Sequence, residues 1–272
     1  MWPPAFLKQK IEHLRFRSYV GTSIKPHRAI YHVQMHKGNF FFALLLPLVF
    51  NLTLAVFLDQ IVAWWHAVFE FWLQRLDPGS EVSSHPIDLG NYILSLPYPN
   101  LSSASPDSEL WWITLLCCLV IFIATFFIPR QHFLPLTYFV RACLLIQATA
   151  LAYFAIVPAE FPYDLPSYIA NSLFMAMIFL YLIPWVLGFT YYVFNFPLIQ
   201  KIVLTAVTLI YFMVVIPMQY LFHAYILHHF SLLFLPLLYL VFGVFIDIMM
   251  FVAFYSWGMS WDWRLPWKSS RD

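Results

Sequence analysis

The sequence predicts an all-α polytopic membrane protein with six transmembrane helices, both termini cytoplasmic, and an extracytoplasmic amphipathic helix and loop after the first span. Three observations carry that reading. Hydrophobic residues make up 62% of the 272 and charged residues only 10%, too little charge to cover a soluble fold of this length. The apolar residues gather into six runs, each near the roughly 20 residues that a helix needs to cross about 30 Å of hydrocarbon. Basic and non-basic connections alternate at every crossing, the lone Arg75 after the first span being outnumbered by six acids (Glu70, Asp77, Glu81, Asp88, Asp107 and Glu109), as the positive-inside rule requires. The same composition argues against a soluble enzyme, a nucleic-acid binder and a disordered chain.

Taken in order, residues 1–39 form a basic cytoplasmic segment. Seven of the fourteen Lys and Arg residues lie here (Lys8, Lys10, Arg15, Arg17, Lys25, Arg28 and Lys37), against the single acid Glu12. That is too much charge for a secretory leader. Leu7, Ile11 and Leu14 repeat at helical spacing within it, which predicts a short amphipathic helix over Phe6–Phe16. Residues 40–59 are the first span. From Gln60 to Leu76, the residues Ile61, Trp64, Trp65, Val68, Phe69, Trp72 and Leu76 form a broad aromatic stripe. This segment either lies along the membrane or prolongs the first span. Asp59 and Gln60 favour the first reading, being costly inside hydrocarbon. The polar stretch 77–109, rich in Pro, Ser, Asn and Asp, reads as a loop with one short turn near Tyr92 to Leu96.

Residues 111–256 supply five more spans, over Trp111–Ile128, Phe133–Val157, Tyr168–Phe194, Ile202–Phe222 and Leu232–Tyr255. Residues 257–272 are a cytoplasmic tail with Trp257, Trp261, Trp263 and Trp267, an aromatic belt. The connections read Arg75 alone after the first span and Arg130 in the next turn. No base follows in Pro158–Pro166. Lys201 comes next, no Lys or Arg occurs in His223–Ser231, and Arg264, Lys268 and Arg271 close the chain. The bacterial inner membrane is the expected location.

Charges inside spans are the most informative residues, because each costs several kcal/mol unless paired or solvated. Arg141 and Asp247 sit about 12 and 15 Å in from the cytoplasmic ends of their spans, so matching depth predicts a buried pair. Its expected role is a fold-fixing salt bridge or a proton or substrate pathway, the alternative being that Arg141 snorkels to the surface. Gln147, one and two-thirds turns further along the same span, either borders one cavity with Arg141 or, as such residues more often do, donates a hydrogen bond between helices.

His223, His228 and His229 form the second constellation, three imidazoles within seven residues. Neutral imidazole is a common metal ligand. The group resembles one histidine box of the membrane di-iron hydroxylases and fatty-acyl elongases. Those families carry several boxes on the cytoplasmic side, whereas this chain has one, which the charge rule puts outside. Cys117, Cys118 and Cys143 all fall in apolar runs, which points to neither a disulfide framework nor a zinc module.

No nucleotide loop, nucleophile elbow or HExxH motif is present in the sequence. No catalytic residue and no cofactor is therefore expected. The favoured function is a non-catalytic membrane subunit that anchors or assembles a larger envelope complex, with the bilayer and other membrane subunits as partners and no nucleic acid. The alternatives are a transporter or channel using Arg141 and Asp247, and a membrane enzyme or metal or haem protein built on the histidine cluster.

Overall fold

The computed structural model describes residues 37–261 apart from 89, 91, 92, 104, 105, 129, 159, 160 and 194–196. The amphipathic stretch expected at Phe6–Phe16, and the tail beyond Trp261 with Trp263 and Trp267, lie outside the described residues. The first helices are α1 (Lys37–Val56) and α2 (Leu58–Leu76), which meet at 59° and are long enough to span only when taken together. Five further helices are each long and apolar enough to cross a membrane: α3 (Ser108–Phe127), α4 (Arg130–Ile156), α5 (Leu165–Val193), α6 (Leu198–His229) and α7 (Leu232–Ser260). Helix length and hydropathy make this a multi-pass integral membrane protein, with five helices able to span among the described residues, or six if the bent pair is one span.

Phe57 breaks the α1–α2 ladder, with φ −97° and ψ 12°. Asp59 and Gln60 follow at once, so the backbone turns where the sequence changes from apolar to polar. α2 is amphipathic as read from the sequence. Trp65, Phe69 and Leu73, one turn apart, are buried against α6 and the segment that follows α2.

That segment corrects the all-α expectation. Instead of a loop it forms a hairpin, with β1 (Val82–Asp88) antiparallel to β2 (Ile93–Pro99) and Val82 opposite Pro99. Pro86, Pro97 and Pro99 spoke against strands in the sequence. A two-stranded ribbon has a free edge on each strand, however, where a missing N–H costs nothing. The turn uses Gly90 at φ +89°, whose N–H donates to Asp88 Oδ1 at 2.7 Å. Leu94 and Leu96 alternate inward and are buried against α2 and α5.

α5 and α6 form the centre, with α1, α2 and β2 packed on one or other of them and α7 on α6, while α4 packs on the start of α7 and α3 on α4. α1 meets α5 at Gly188, where a Cβ would lie 2.5 Å from Pro47 Cγ and 2.7 Å from the Ala43 carbonyl oxygen. That carbonyl is the one Pro47 releases, since proline has no N–H to give the residue four before it. α6 meets the end of α7 at Gly258, where a Cβ would fall 2.4 Å from Leu204 Cδ2.

α6 runs seven residues past the Phe222 end expected for the fifth span, so the presumed turn His223–Ser231 is mostly helix. Ala, Tyr, Ile and Leu between the histidines continue the helix, and it stops only before Ser231, at φ 149°. α7 is irregular: it opens as a 3-10 turn at Leu232–Phe234 and widens to a π-helix over Leu238–Phe245.

Gly188→Ala is expected to destabilise the protein by about 1–3 kcal/mol, the usual cost of overpacking. Gly243→Ala is expected to stay within about 1 kcal/mol, because its nearest neighbour would be 3.5 Å away. Thermal unfolding of both variants in one detergent checks the difference.

Candidate functional site

The interior between α5, α6 and α7 holds a row of polar side chains contributed by all three helices. Tyr168 stands one turn into α5, and its hydroxyl lies 3.0 Å from His223 Nδ1 on α6. Both residues are buried, at 5% and 0% exposure. The rings are nearly parallel, with their centroids 6.3 Å apart. His223 Nε2 has no hydrogen-bond partner among the described residues, and the Phe242 carbonyl of the π-helix lies near the imidazole. Gln219, one turn before His223, donates from Nε2 to that same carbonyl at 2.7 Å. Asp247 lies beside Gln219. A π-turn displaces carbonyls from the regular ladder, and such turns occur often at functional sites.

Tyr168 also walls a cavity of about 370 Å³ between α5 and the start of α7, which Asn171, Ser172 and Tyr239 line as well. The phenol therefore stands between that space and the imidazole. Such a pair can present a hydroxyl to a ligand while the imidazole behind it holds or accepts the phenolic proton.

The structure does not join Arg141 to Asp247. Arg141 Nε donates to Thr125 Oγ1 at 3.0 Å, and its guanidinium carbon is 4.7 Å from the Phe126 ring centroid. Helical side chains lean toward the N-terminus, so Arg141 reaches back along α3 toward the α3–α4 turn. Equal depth does not fix which way a residue faces. Phe139, about 200° round α4 from Arg141, is the residue that meets α7, with ring centroids 5.5 Å apart at Phe245. Among the described residues the ion pairs are His66–Glu70 and His228–Asp77, each at 3.9 Å.

His223 stands apart from the other two histidines, whose rings stay in edge-on contact with centroids 5.1 Å apart. His228 Nδ1 lies 2.6 Å from the Ser102 carbonyl and ties the segment after the hairpin to the end of α6. His229 packs edge-on against Tyr225, with centroids 4.3 Å apart. Five and six residues after His223, the two stand about 140° and 240° round the helix from it. Among the described residues no group of three or more His, Cys, Asp and Glu side chains is placed to hold a metal ion.

Gln147 is buried, donates from Nε2 to the Leu233 carbonyl at 3.1 Å, and keeps Oε1 without a partner. It does not share a cavity with Arg141. Gln147 and the three cysteines line an apolar space of about 450 Å³ between α3, α4 and α7, whereas Arg141 lines a different groove.

Tyr168 and Trp65 were not singled out by sequence reasoning. The Trp65 indole N–H donates to the Met213 carbonyl at 3.0 Å, the oxygen released by Pro217 four residues later. Pro217 signals that a donor is needed, but not which residue supplies it. Comparison with protein-family models, with curated proteins and with solved structures gives no match.

His223→Ala removes a buried ring and the Nδ1 partner of the Tyr168 hydroxyl, an expected loss of about 2–4 kcal/mol. His229→Ala, at the helix end, is expected to cost less than about 0.5 kcal/mol. Unfolding of the two variants side by side checks whether the histidines act as one unit.

Proposed function

We propose that the chain is a non-catalytic integral membrane subunit that anchors or assembles a larger envelope complex, such as export, secretion or polysaccharide machinery. In this reading both termini are cytoplasmic, the membrane is the bacterial inner membrane, and the hairpin faces the opposite side. One observation carries the proposal: the apolar arc of α2 is wider than the face it buries. Trp65, Phe69 and Leu73 lock α2 and the hairpin to the helices, while Trp64, Phe71 and Trp72 remain 40%, 49% and 36% exposed. A rigid element that keeps large aromatic side chains outward supplies what protein interfaces use most, aromatic anchors with little ordering cost. Arg75, stacked over the Phe71 ring at 3.6 Å, adds a residue type enriched at such surfaces.

A second reading, a transporter or channel, is favoured by a different observation. Gln219, His223 and Asp247 gather at the π-helix of α7, beside the cavity behind Tyr168. Intramembrane polar groups mark substrate and ion pathways. This version does not use an Arg141–Asp247 pair.

The test is purification of the tagged full chain from its native membranes, beside a Phe71→Ser/Trp72→Ser variant. The expected result is membrane-protein partners at fixed stoichiometry with the parent chain, and at least about tenfold less of them with the variant. Such a loss corresponds to about 1.4 kcal/mol, the scale of one hot-spot residue. Asp247→Asn leaves the partners in place under this reading. A parent chain that elutes alone overturns it.

A further inference from the structure

We propose that the groove between α3 and α4 is a binding site for one anionic phospholipid, with the phosphate on Arg141 and one acyl chain along the helices. The groove holds about 420 Å³ and is walled by Trp111, Leu115, Phe122, Leu145 and Ala148, with Arg141 as its one charged residue. Its α3 wall from Trp111 to Phe122 runs about 16 Å at 1.5 Å per residue, about half the hydrocarbon thickness and so the reach of one lipid tail. The flanks are open sideways: Leu119, Phe122 and Leu145 are exposed. A chain entering from the bilayer meets no backbone barrier.

Charge selects the occupant. The guanidinium uses Nε on Thr125 Oγ1 and rests on Phe126, which leaves both terminal nitrogens without an acceptor among the described residues. No carboxylate among the described residues lies within salt-bridge reach of it. A cation within a span requires an anion or water, and the planar fork of arginine matches two oxygens of a phosphodiester. Position agrees with charge. Thr125 is two residues from the end of α3, about 3 Å along the axis, so the guanidinium is near the level where headgroups of the adjacent leaflet begin. A ligand fitting this groove has one negative head and one long apolar tail.

The test uses the full chain in a neutral detergent, with melting temperature followed against added dioleoylphosphatidylglycerol, dioleoylphosphatidylcholine and oleate. Phosphatidylglycerol is expected to reach its half-effect at about fivefold lower concentration than phosphatidylcholine, the worth of one basic residue near a membrane surface. Arg141→Gln is expected to erase that preference. Ala148→Phe keeps the charge but fills the groove, and is expected to weaken phosphatidylglycerol at least threefold; this variant stands as the test if Arg141→Gln does not fold. Equal half-effects of the two phospholipids on the parent chain overturn the proposal. So does a preference that survives either substitution, and an oleate effect equal to that of phosphatidylglycerol overturns the phosphate assignment.

Discussion

Backbone carbonyls that stand outside the regular helical ladder, and the side-chain donors that reach them, decide how these helices assemble. In hydrocarbon an unpaired carbonyl has no water to turn to, so each one has to be met by a donor from somewhere in the chain. Pro217 releases the Met213 carbonyl, and the Trp65 indole takes it. α7 offers carbonyls at each of its irregular places, and three glutamines reach them. Gln147 donates to Leu233 in the opening 3-10 turn, Gln219 to Phe242 in the π-helix and Gln200 to Gly258 in the last turn. Such bonds are worth about 0.6–2 kcal/mol each in a membrane. Shape alone does little for α7, because only 17% of its most apolar window is buried. Polar staples at three levels hold what packing leaves loose.

The same constraint places the part of the protein that is not a span. Because Trp65 is tied to Met213 and buried, α2 cannot lie along α1 and has to turn away at Phe57. Once α2 is fixed, Leu94 and Leu96 of β2 have a surface to pack on, and a hairpin that is marginal alone becomes part of the core. His228 then ties the segment after the hairpin to the end of α6 through the Ser102 carbonyl. A single proline in the fifth long helix therefore governs the geometry of residues more than a hundred positions earlier.

Much of this was legible in the sequence, and the failures share a cause. The long helices and the amphipathic α2 follow from apolar runs and the 3.6-residue period, which are local signals. Depth along a span is local too, since it is counted from the end of an apolar run. What the sequence does not carry is rotation about the helix axis, which packing sets. Arg141 therefore faces Thr125 and Phe126 while Phe139 meets α7. The histidines fail in the same way: three within seven residues read as one cluster on a line, but His223 faces away from the pair His228 and His229 on the helix circumference. The hairpin was missed for a different reason. Its prolines speak against strands in a sheet interior, and nothing local says that the sheet has only two strands.

Two candidate residues that the sequence assigned to different constellations nevertheless converge. His223 belonged to the histidine group and Asp247 to the charge pair, yet both stand on the face where α6 meets the π-helix, with Gln219 near each. Packing alone does not require this. An apolar α6–α7 contact at the same place would leave no lone Nε2 on His223 and no unpartnered Oε1 on Gln219, and it would need no widened turn to present the Phe242 carbonyl. Polar atoms left without partners between packed helices are costly. The aromatic surface of α2 and this interior row are joined through α6. Trp65 holds the Met213 carbonyl one and two-thirds turns before Gln219, so both features sit on neighbouring turns of one helix.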